Sequence, residues 1–197
     1  MPRLANPVAL LRWNTDKRYL GELAAADVTE HFAPPPGDYV IKPTVGAAAA
    51  GAARFGPGEH EAARTHVAAL QDGGKQVLVQ PYLAEVEVAH ETSVLLFGGH
   101  YSHGARKGPI LSGPVIPNPE DYDVGARQPS PAELAVAAQV VAAAPTPLLY
   151  ARVDLLPGPD GPLLLELEAT EPYLFLCSSQ GAADRFAAAI MGTTTVQ

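Results

Sequence analysis

Polar and apolar residues alternate through 150–156 and again through 163–169, and the stretch between them, Pro157-Gly-Pro-Asp-Gly-Pro162, consists of turn formers. This pattern predicts a β-hairpin, because successive side chains on a strand point to opposite faces. Glu166 and Glu168 then share one face, and Leu163, Leu165 and Leu167 share the other. If Asp154 pairs with Glu166, Arg152 falls opposite Glu168, which puts three acids and one arginine on one face. Acids held together away from water cost on the order of several kcal/mol each unless a cation lies among them. Hard oxygen donors of this kind suit Mg²⁺, which takes one or two carboxylates and completes its shell with water and phosphate. The same spacing also describes a half-exposed strand with both glutamates in water.

Elsewhere the pattern is read element by element. An apolar lead at 8–11 runs into Arg12-Trp13-Asn14, with Asn14 or Thr15 capping a helix from Asp16 that carries Lys17 and meets a breaker at Gly21. Three prolines make 31–38 a loop. Tyr39-Val-Ile-Lys-Pro43 is a short strand, followed by a small-residue segment from Thr44 to Phe55 containing Gly46 and Gly51, where backbone amides can approach a phosphate. Residues 58–70 are helical, and His60 and His66 on that helix are surface residues, six apart and poorly aligned for a metal. The strand 76–80 ends at Pro81-Tyr82-Leu83, and acids follow at Glu85, Glu87 and Glu91. A second hairpin turns at Gly98-Gly99 and closes on Arg106-Lys107. Residues 108–131 form a long loop. Ser130-Pro-Ala-Glu133 opens a helix over 131–144, with Leu134, Ala137, Ala138 and Val141 inward. A closing helix spans 182–191, Cys177 is a buried structural thiol, and 193–197 is a frayed, disordered tail.

Composition narrows the classes. Thirteen basic against 21 acidic side chains give a net charge of −8, without a basic run, which excludes a nucleic-acid surface. One cysteine excludes a disulfide framework, and no apolar run reaches the length of a membrane span. A cytoplasmic location is expected.

The order of the pieces resembles an ATP-grasp module over residues 12 to 192: a strand with Lys42, a Gly/Ala flap, Val-Gln-Pro-Tyr at a strand end, a Gly-Gly hairpin ending in Arg-Lys, then Arg-Val-Asp and Glu-Leu-Glu. It is similar to the glutathione-synthetase-like ligases. In Phe97-Gly-Gly-His-Tyr-Ser-His-Gly-Ala-Arg-Lys107 and Glu166-Leu-Glu-Ala-Thr-Glu-Pro172 it resembles the cycloserine-forming cyclo-ligases.

The resemblance implies an α+β fold of two lobes, 1–83 and 84–192, with antiparallel sheets gripping ATP, and the activity of an ATP-dependent carboxylate–amine ligase working through an acyl phosphate. Lys17 and Lys42 would hold phosphates, and Gly46 to Gly51 would form the flap. Gln80, Pro81, Tyr82 and Leu83 would line the adenine pocket, and Glu87, or less favourably Glu85, would meet the ribose. Asp154, Glu166 and Glu168 would hold two Mg²⁺ ions. Arg106, Lys107 and Arg152 would stabilise the transferred phosphoryl group. Glu166-Leu-Glu168 departs from the family's Glu-x-Asn, and the flap is alanine-rich where glycine and hydroxyls are usual. The family also carries an α/β domain before the point where this chain starts. The chain is therefore expected to be the ATP-grasp portion of a longer ligase, or to draw on a second copy or a partner for that domain, beside small-molecule acid and amine substrates. The competing reading is a degenerate module that binds nucleotide or scaffolds a partner without turnover.

Overall fold

The computed structural model describes residues 5–20, 35–112 and 122–194, the side chains of 193 and 194 excepted. The described elements, in chain order, are α1 (Val8–Thr15), β1 (Tyr39–Pro43), β2 (Ala53–Phe55), α2 (His60–Asp72), β3 (Val77–Pro81), α3 (Val86–Ala89), β4 (Glu91–Phe97), β5 (His100–Lys107), β6 (Val124–Arg127), α4 (Pro131–Ala142), β7 (Tyr150–Gly158), β8 (Gly161–Glu168) and α5 (Ala182–Thr194). They fall into two compact units, one of 16–84 with 109–122, the other of 1–15, 85–108 and 123–197. The first fifteen residues therefore group with the C-terminal strands and not with the lobe expected over 1–83. The cause is side-chain hydrogen bonding, described below.

In the smaller unit three antiparallel strands lie in the order β2-β1-β3. Alternation along β1 buries Tyr39 and Ile41, which pack with Phe55 and with Ala63 and Val67 of α2. Val40 and Lys42 are consequently left on the opposite face. Gln80 is the register partner of Val40, and Leu78 that of Lys42.

The larger unit holds a five-stranded antiparallel sheet in the order β6-β5-β4-β7-β8. The β4–β5 turn is made by Gly98 and Gly99 at φ 57 and 80, where both central residues need positive φ. Strand β6 lies inside the stretch expected to be loop. Its Val-Gly-Ala-Arg carries little β signal, and pairing with β5 supplies what local propensity does not. On β8 the register passes from Asp154↔Glu166 to Leu155↔Leu164, so Leu165 bulges. The bulge reverses the alternation, and Leu163, 46% exposed, lies on the face opposite Leu167 where the strand pattern expected the two to share one. Helix α4 has the expected capping box: Ser130 Oγ accepts from Glu133 N, and Ser130 N donates to Glu133 Oε2 at 2.6 Å. Its inner face is Glu133, Ala137 and Val140, rotated from the expected one because the cap turns Glu133 inward to accept from Thr92 Oγ1 at 2.5 Å.

Helix α1 precedes the expected helix, Asp16 to Arg18 form the turn after it, and Tyr19 and Leu20 are helical again, the rest of the expected helix lying outside the described residues. Asn14 is not a cap but a clamp. Its Nδ2 donates to Leu167 O (2.6 Å) and its Oδ1 accepts from Ala169 N (2.8 Å). Asn6 donates to Tyr150 O and Ala169 O and accepts from Leu149 N. These contacts tie 5–15 to the ends of β7 and β8. Cys177, expected to be buried, is exposed. The expected loop at 31–38 and the breaker at Gly21 lie largely outside the described residues, as does the end of the tail, whose Thr193 and Thr194 belong to α5. Among the described residues no helix is long and apolar enough to cross a membrane.

His90, between α3 and β4, has φ 62 and ψ 171, a region that glycine alone occupies without strain, and its buried Nδ1 makes no hydrogen bond among the described residues. His90→Gly is expected to raise stability by about 1 kcal/mol after glycine's own entropic cost, measured by urea denaturation.

Candidate functional site

The smaller unit gathers the residues expected to hold a nucleotide. Lys17 is 7% exposed, not a solvated surface lysine. Its Nζ donates to Gly46 O at 2.8 Å, and its backbone N donates to Thr44 O at 2.8 Å, so the turn after α1 is fastened to the start of the flap. Within the flap Ala48 and Ala49 have φ 51 and 56, and Gly51 has φ 77. The positive φ is what favours glycine at Gly51; a Cβ there would lie 3.2 Å from Leu70 Cδ2, a tight approach that the leucine tip would have to relieve by a few tenths of an ångström. His66, expected only as a surface residue, bonds Gly51 O through Nε2 at 3.0 Å and anchors the flap's far end.

Lys42 and Gln80 project from the coreless face of the small sheet, and Pro81, Tyr82 and Leu83 continue from it. The sequence reading missed Arg54. Its guanidinium lies 3.7 Å from the centre of the Tyr82 ring and donates to Asp38 Oδ2 from Nε (2.9 Å) and Nη2 (2.6 Å), while Tyr82 N donates to Asp38 O. The end of β3 is thereby held by a residue on β2 that follows the flap directly.

The larger unit assembles the charges. Cross-strand pairs Lys107↔Glu91, Ser93↔Asp154, Arg152↔Glu168 and Asp154↔Glu166 place these side chains on one face of β5, β4, β7 and β8. The hairpin has the Asp154↔Glu166 pairing on which the alternation reading was conditional, and Arg152 falls opposite Glu168. Asp154 is 1% exposed. Ser93 Oγ donates to its Oδ1 at 2.7 Å, and Arg152 donates to both oxygens, from Nε at 2.9 and 3.1 Å and from Nη2 at 2.8 Å. Arg152 Nη2 also pairs with Glu168. Lys107 is buried, not on the rim, with Nζ 2.5 Å from Glu91 Oε1 and 3.7 Å from Asp154 Oδ2.

Burial opposes ionisation of Asp154, but Arg152 and Lys107 outweigh it and hold the carboxyl below the usual carboxylate range. For Glu91 burial prevails over the attraction of Lys107, with Asp154 adding repulsion, and the group is pushed up to about 7. Burial pushes Glu168 up to about 7 against Arg152, with Asp154 and Glu166 adding repulsion. Both acids hold protons more tightly folded than at their ordinary 4.5, so folding takes up protons between about 4.5 and about 7 and stability falls as pH rises through that window. Without divalent cation the chain is expected to be less stable at pH 7.5 than at pH 5 by on the order of 2–4 kcal/mol, the two acids sharing the same cations. Urea melts in EDTA at the two pH values measure this.

The face carries the acids Glu91, Asp154, Glu166 and Glu168 against the bases Lys107 and Arg152. An all-oxygen donor set with surplus negative charge fits a hard divalent cation. The ligands are not already convergent: among the described residues no three His, Cys, Asp or Glu side chains form a ready metal cluster. Of the expected cationic trio, Lys107 and Arg152 lie on this face and Arg106 does not. Arg106 is the register partner of Thr92, on the reverse face, and makes a bidentate pair with Asp123 at 2.6 and 2.8 Å. Glu85 and Glu87 are exposed at α3, whereas Glu91 is 5% exposed within the charged face. The sequence reading counted Glu91 only as one of three clustered acids and Ser93 only as part of the second hairpin. Their signal was their alternation with Leu95, in phase with Asp154 across the sheet.

No protein-family profile matches the chain. The cycloserine biosynthesis protein DcsG of Streptomyces lavendulae is 37% identical over 217 aligned residues, covering 95% of this chain and 72% of DcsG. The crystal structure of the D-cycloserine synthetase DcsG superposes with a TM-score of 0.85 at 34% identity, over 98% of this chain and 74% of that one. D-alanine–D-alanine ligase from Bacillus anthracis, complexed with ATP, gives 0.63 at 14% identity, over 92% and 66%. The ATP-grasp ligase PsnB, complexed with a phosphomimetic variant of minimal precursor, Mg and ADP, gives 0.61 at 17%, over 97% and 62%. At these identities the last two show the fold alone, the α+β ATP-grasp fold with antiparallel sheets. Identity to DcsG across nearly the whole chain, joined to the charged face and the flap, places this chain in the DcsG family of cycloserine-forming ATP-grasp ligases.

Proposed function

We propose that this chain uses ATP and Mg²⁺ to activate the carboxylate of a small acid that carries its own O-linked amine, so that closure gives a cycloserine-type ring. The observation that carries this reading is the face on which Asp154, Glu166 and Glu168 meet Lys107 and Arg152. In the smaller unit Lys17 and Lys42 hold phosphate oxygens, the flap from Gly46 to Gly51 covers them, and Gln80, Pro81, Tyr82 and Leu83 receive the adenine. Glu87 or Glu85 serves the ribose. In the larger unit Asp154, Glu166 and Glu168 hold two Mg²⁺ ions, which when bound neutralise phosphate charge.

The substrate carboxylate attacks the γ-phosphorus in line, the bond to ADP breaks, and an acyl phosphate results. Lys107 and Arg152 offer positive charge to the oxygens as charge develops, and their burial strengthens that interaction. The amine nitrogen then attacks the acyl carbon, loses its proton and expels phosphate. Arg106, on the other face, acts through its pair with Asp123 on the segment that leads into β6. A further domain, a second copy or another chain completes the acceptor site.

Calorimetric titration with a non-hydrolysable ATP analogue tests the nucleotide and metal roles. Binding is expected to need Mg²⁺, and Glu166→Ala is expected to remove that dependence; unchanged dependence would sink the metal assignment. One observation favours a second reading, a nucleotide-binding module without turnover: Asp154 is already fully engaged by protein donors. ADP release on adding an O-amino acid of this type separates the two.

A further inference from the structure

Asp154 has no acceptor position to spare. A carboxylate offers about four. Here Oδ1 takes Ser93 Oγ and Arg152 Nε, Oδ2 takes Arg152 Nη2 and Nε, and the Lys107 ammonium stands 3.7 Å beyond. The same Arg152 Nη2 pairs with Glu168, Nη1 reaches Tyr173 O at 3.3 Å, and the guanidinium lies 5.5 Å from the Phe175 ring centre. One arginine thus bridges two of the three acids assigned to the metal, and a divalent ion can reach them only where the guanidinium withdraws.

The two kinds of donor on Asp154 differ in what they can do. Ser93 is 0% exposed on β4, directly opposite Asp154 in the ladder, with a short side chain that has nowhere else to go. Its hydroxyl is neutral, so it orients the carboxylate without repelling a cation. Arg152 has a long, flexible stem, and its full positive charge opposes any ion nearby.

Resting on the Mg²⁺ reading above, we propose that Arg152 is the resident counter-cation of the metal-free face, that divalent metal binds by exchange for its guanidinium, and that Ser93 is the positioning residue that keeps Asp154 aimed during the exchange. Removing the guanidinium should therefore harm the metal-free fold yet favour metal. Removing the hydroxyl should do the reverse to metal affinity.

The test is a titration of Mn²⁺, followed by electron paramagnetic resonance, into the full chain saturated with a non-hydrolysable ATP analogue, alongside Tm values in EDTA and in Mn²⁺. Arg152→Met is expected to lower Tm in EDTA, to recover more of it in Mn²⁺ than the wild type gains, and to bind Mn²⁺ at least about threefold more tightly. Arg152→Lys keeps the charge but loses the bridge and moves the same way by less, which covers the case where the methionine variant does not fold. Ser93→Ala is expected to weaken Mn²⁺ binding about 10–100-fold, with rescue in Ser93→Thr. Weaker Mn²⁺ binding in the arginine variants overturns the exchange while leaving the metal assignment standing. An unchanged Ser93→Ala overturns the positioning role. A wild-type chain that binds no Mn²⁺ overturns this proposal and the metal reading together.

Discussion

Asp154→Ala is expected to lower folding stability by about 3–5 kcal/mol, the cost of leaving buried charge without its partner. Arg152 is 6% exposed and Lys107 9%, and Asp154 is the acid that both contact. With the carboxylate gone, Arg152 retains Glu168 and Lys107 retains Glu91, but Ser93 Oγ loses its acceptor inside the sheet. For a chain of this length the loss corresponds to a Tm decrease of roughly 10 °C. Asp154→Asn keeps the shape and one acceptor oxygen and should lose less. Chemical denaturation in EDTA measures the stability effect, and a loss below about 1 kcal/mol would mean that the charged face relaxes easily and that Asp154 is not its centre.

The second large effect lies away from the charges. Asn14→Ala removes a donor to Leu167 O and an acceptor from Ala169 N, both buried, and Asn6→Ala frees Leu149 N, Tyr150 O and Ala169 O. Unmade hydrogen bonds at buried backbone groups cost about 1–3 kcal/mol each, so each variant is expected to lose about 2–4 kcal/mol. Because both asparagines reach Ala169, just after Glu168, the loss should extend to the carboxylate hairpin. Hydrogen exchange at the amides of 167–169 should rise well above that of β4 in either variant. Exchange that rises uniformly across the sheet would show global destabilisation without a local clamp.

Much of the hairpin was legible because period-two alternation and Gly/Pro punctuation are local signals. Pro157-Gly-Pro-Asp-Gly-Pro162 marked the turn, but the turn's own register leads from Gly158↔Gly161 to Leu155↔Leu164, and the pairing of Asp154 with Glu166, a condition of the alternation reading, is reached only through the bulge. The capping box at Ser130, the Gly98-Gly99 turn and the lysine-bearing strand β1 were legible for the same reason. The misses share a cause as well. The bulge at Leu165, the rotated face of α4, strand β6 and helix α1 each depend on a partner distant in sequence. Asn14 looked like a cap because nothing local says that its amide will meet Leu167 O, 153 residues later. Glu91 looked like one of three clustered acids until β5 placed Lys107 beside it.

The sequence by itself therefore determined the local pieces, carboxylates on a hairpin and lysines near a small-residue flap, because residue type, alternation and turn chemistry act over a few neighbouring positions, and the order of those pieces carried the resemblance to an ATP-grasp ligase. Only the tertiary structure decided which further groups join the carboxylate face. Sheet register put Lys107, Glu91 and Ser93 beside Asp154 and sent Arg106 to the reverse side with Asp123. Electrostatic interaction depends on distance through space and on burial, and neither can be read from spacing along the chain.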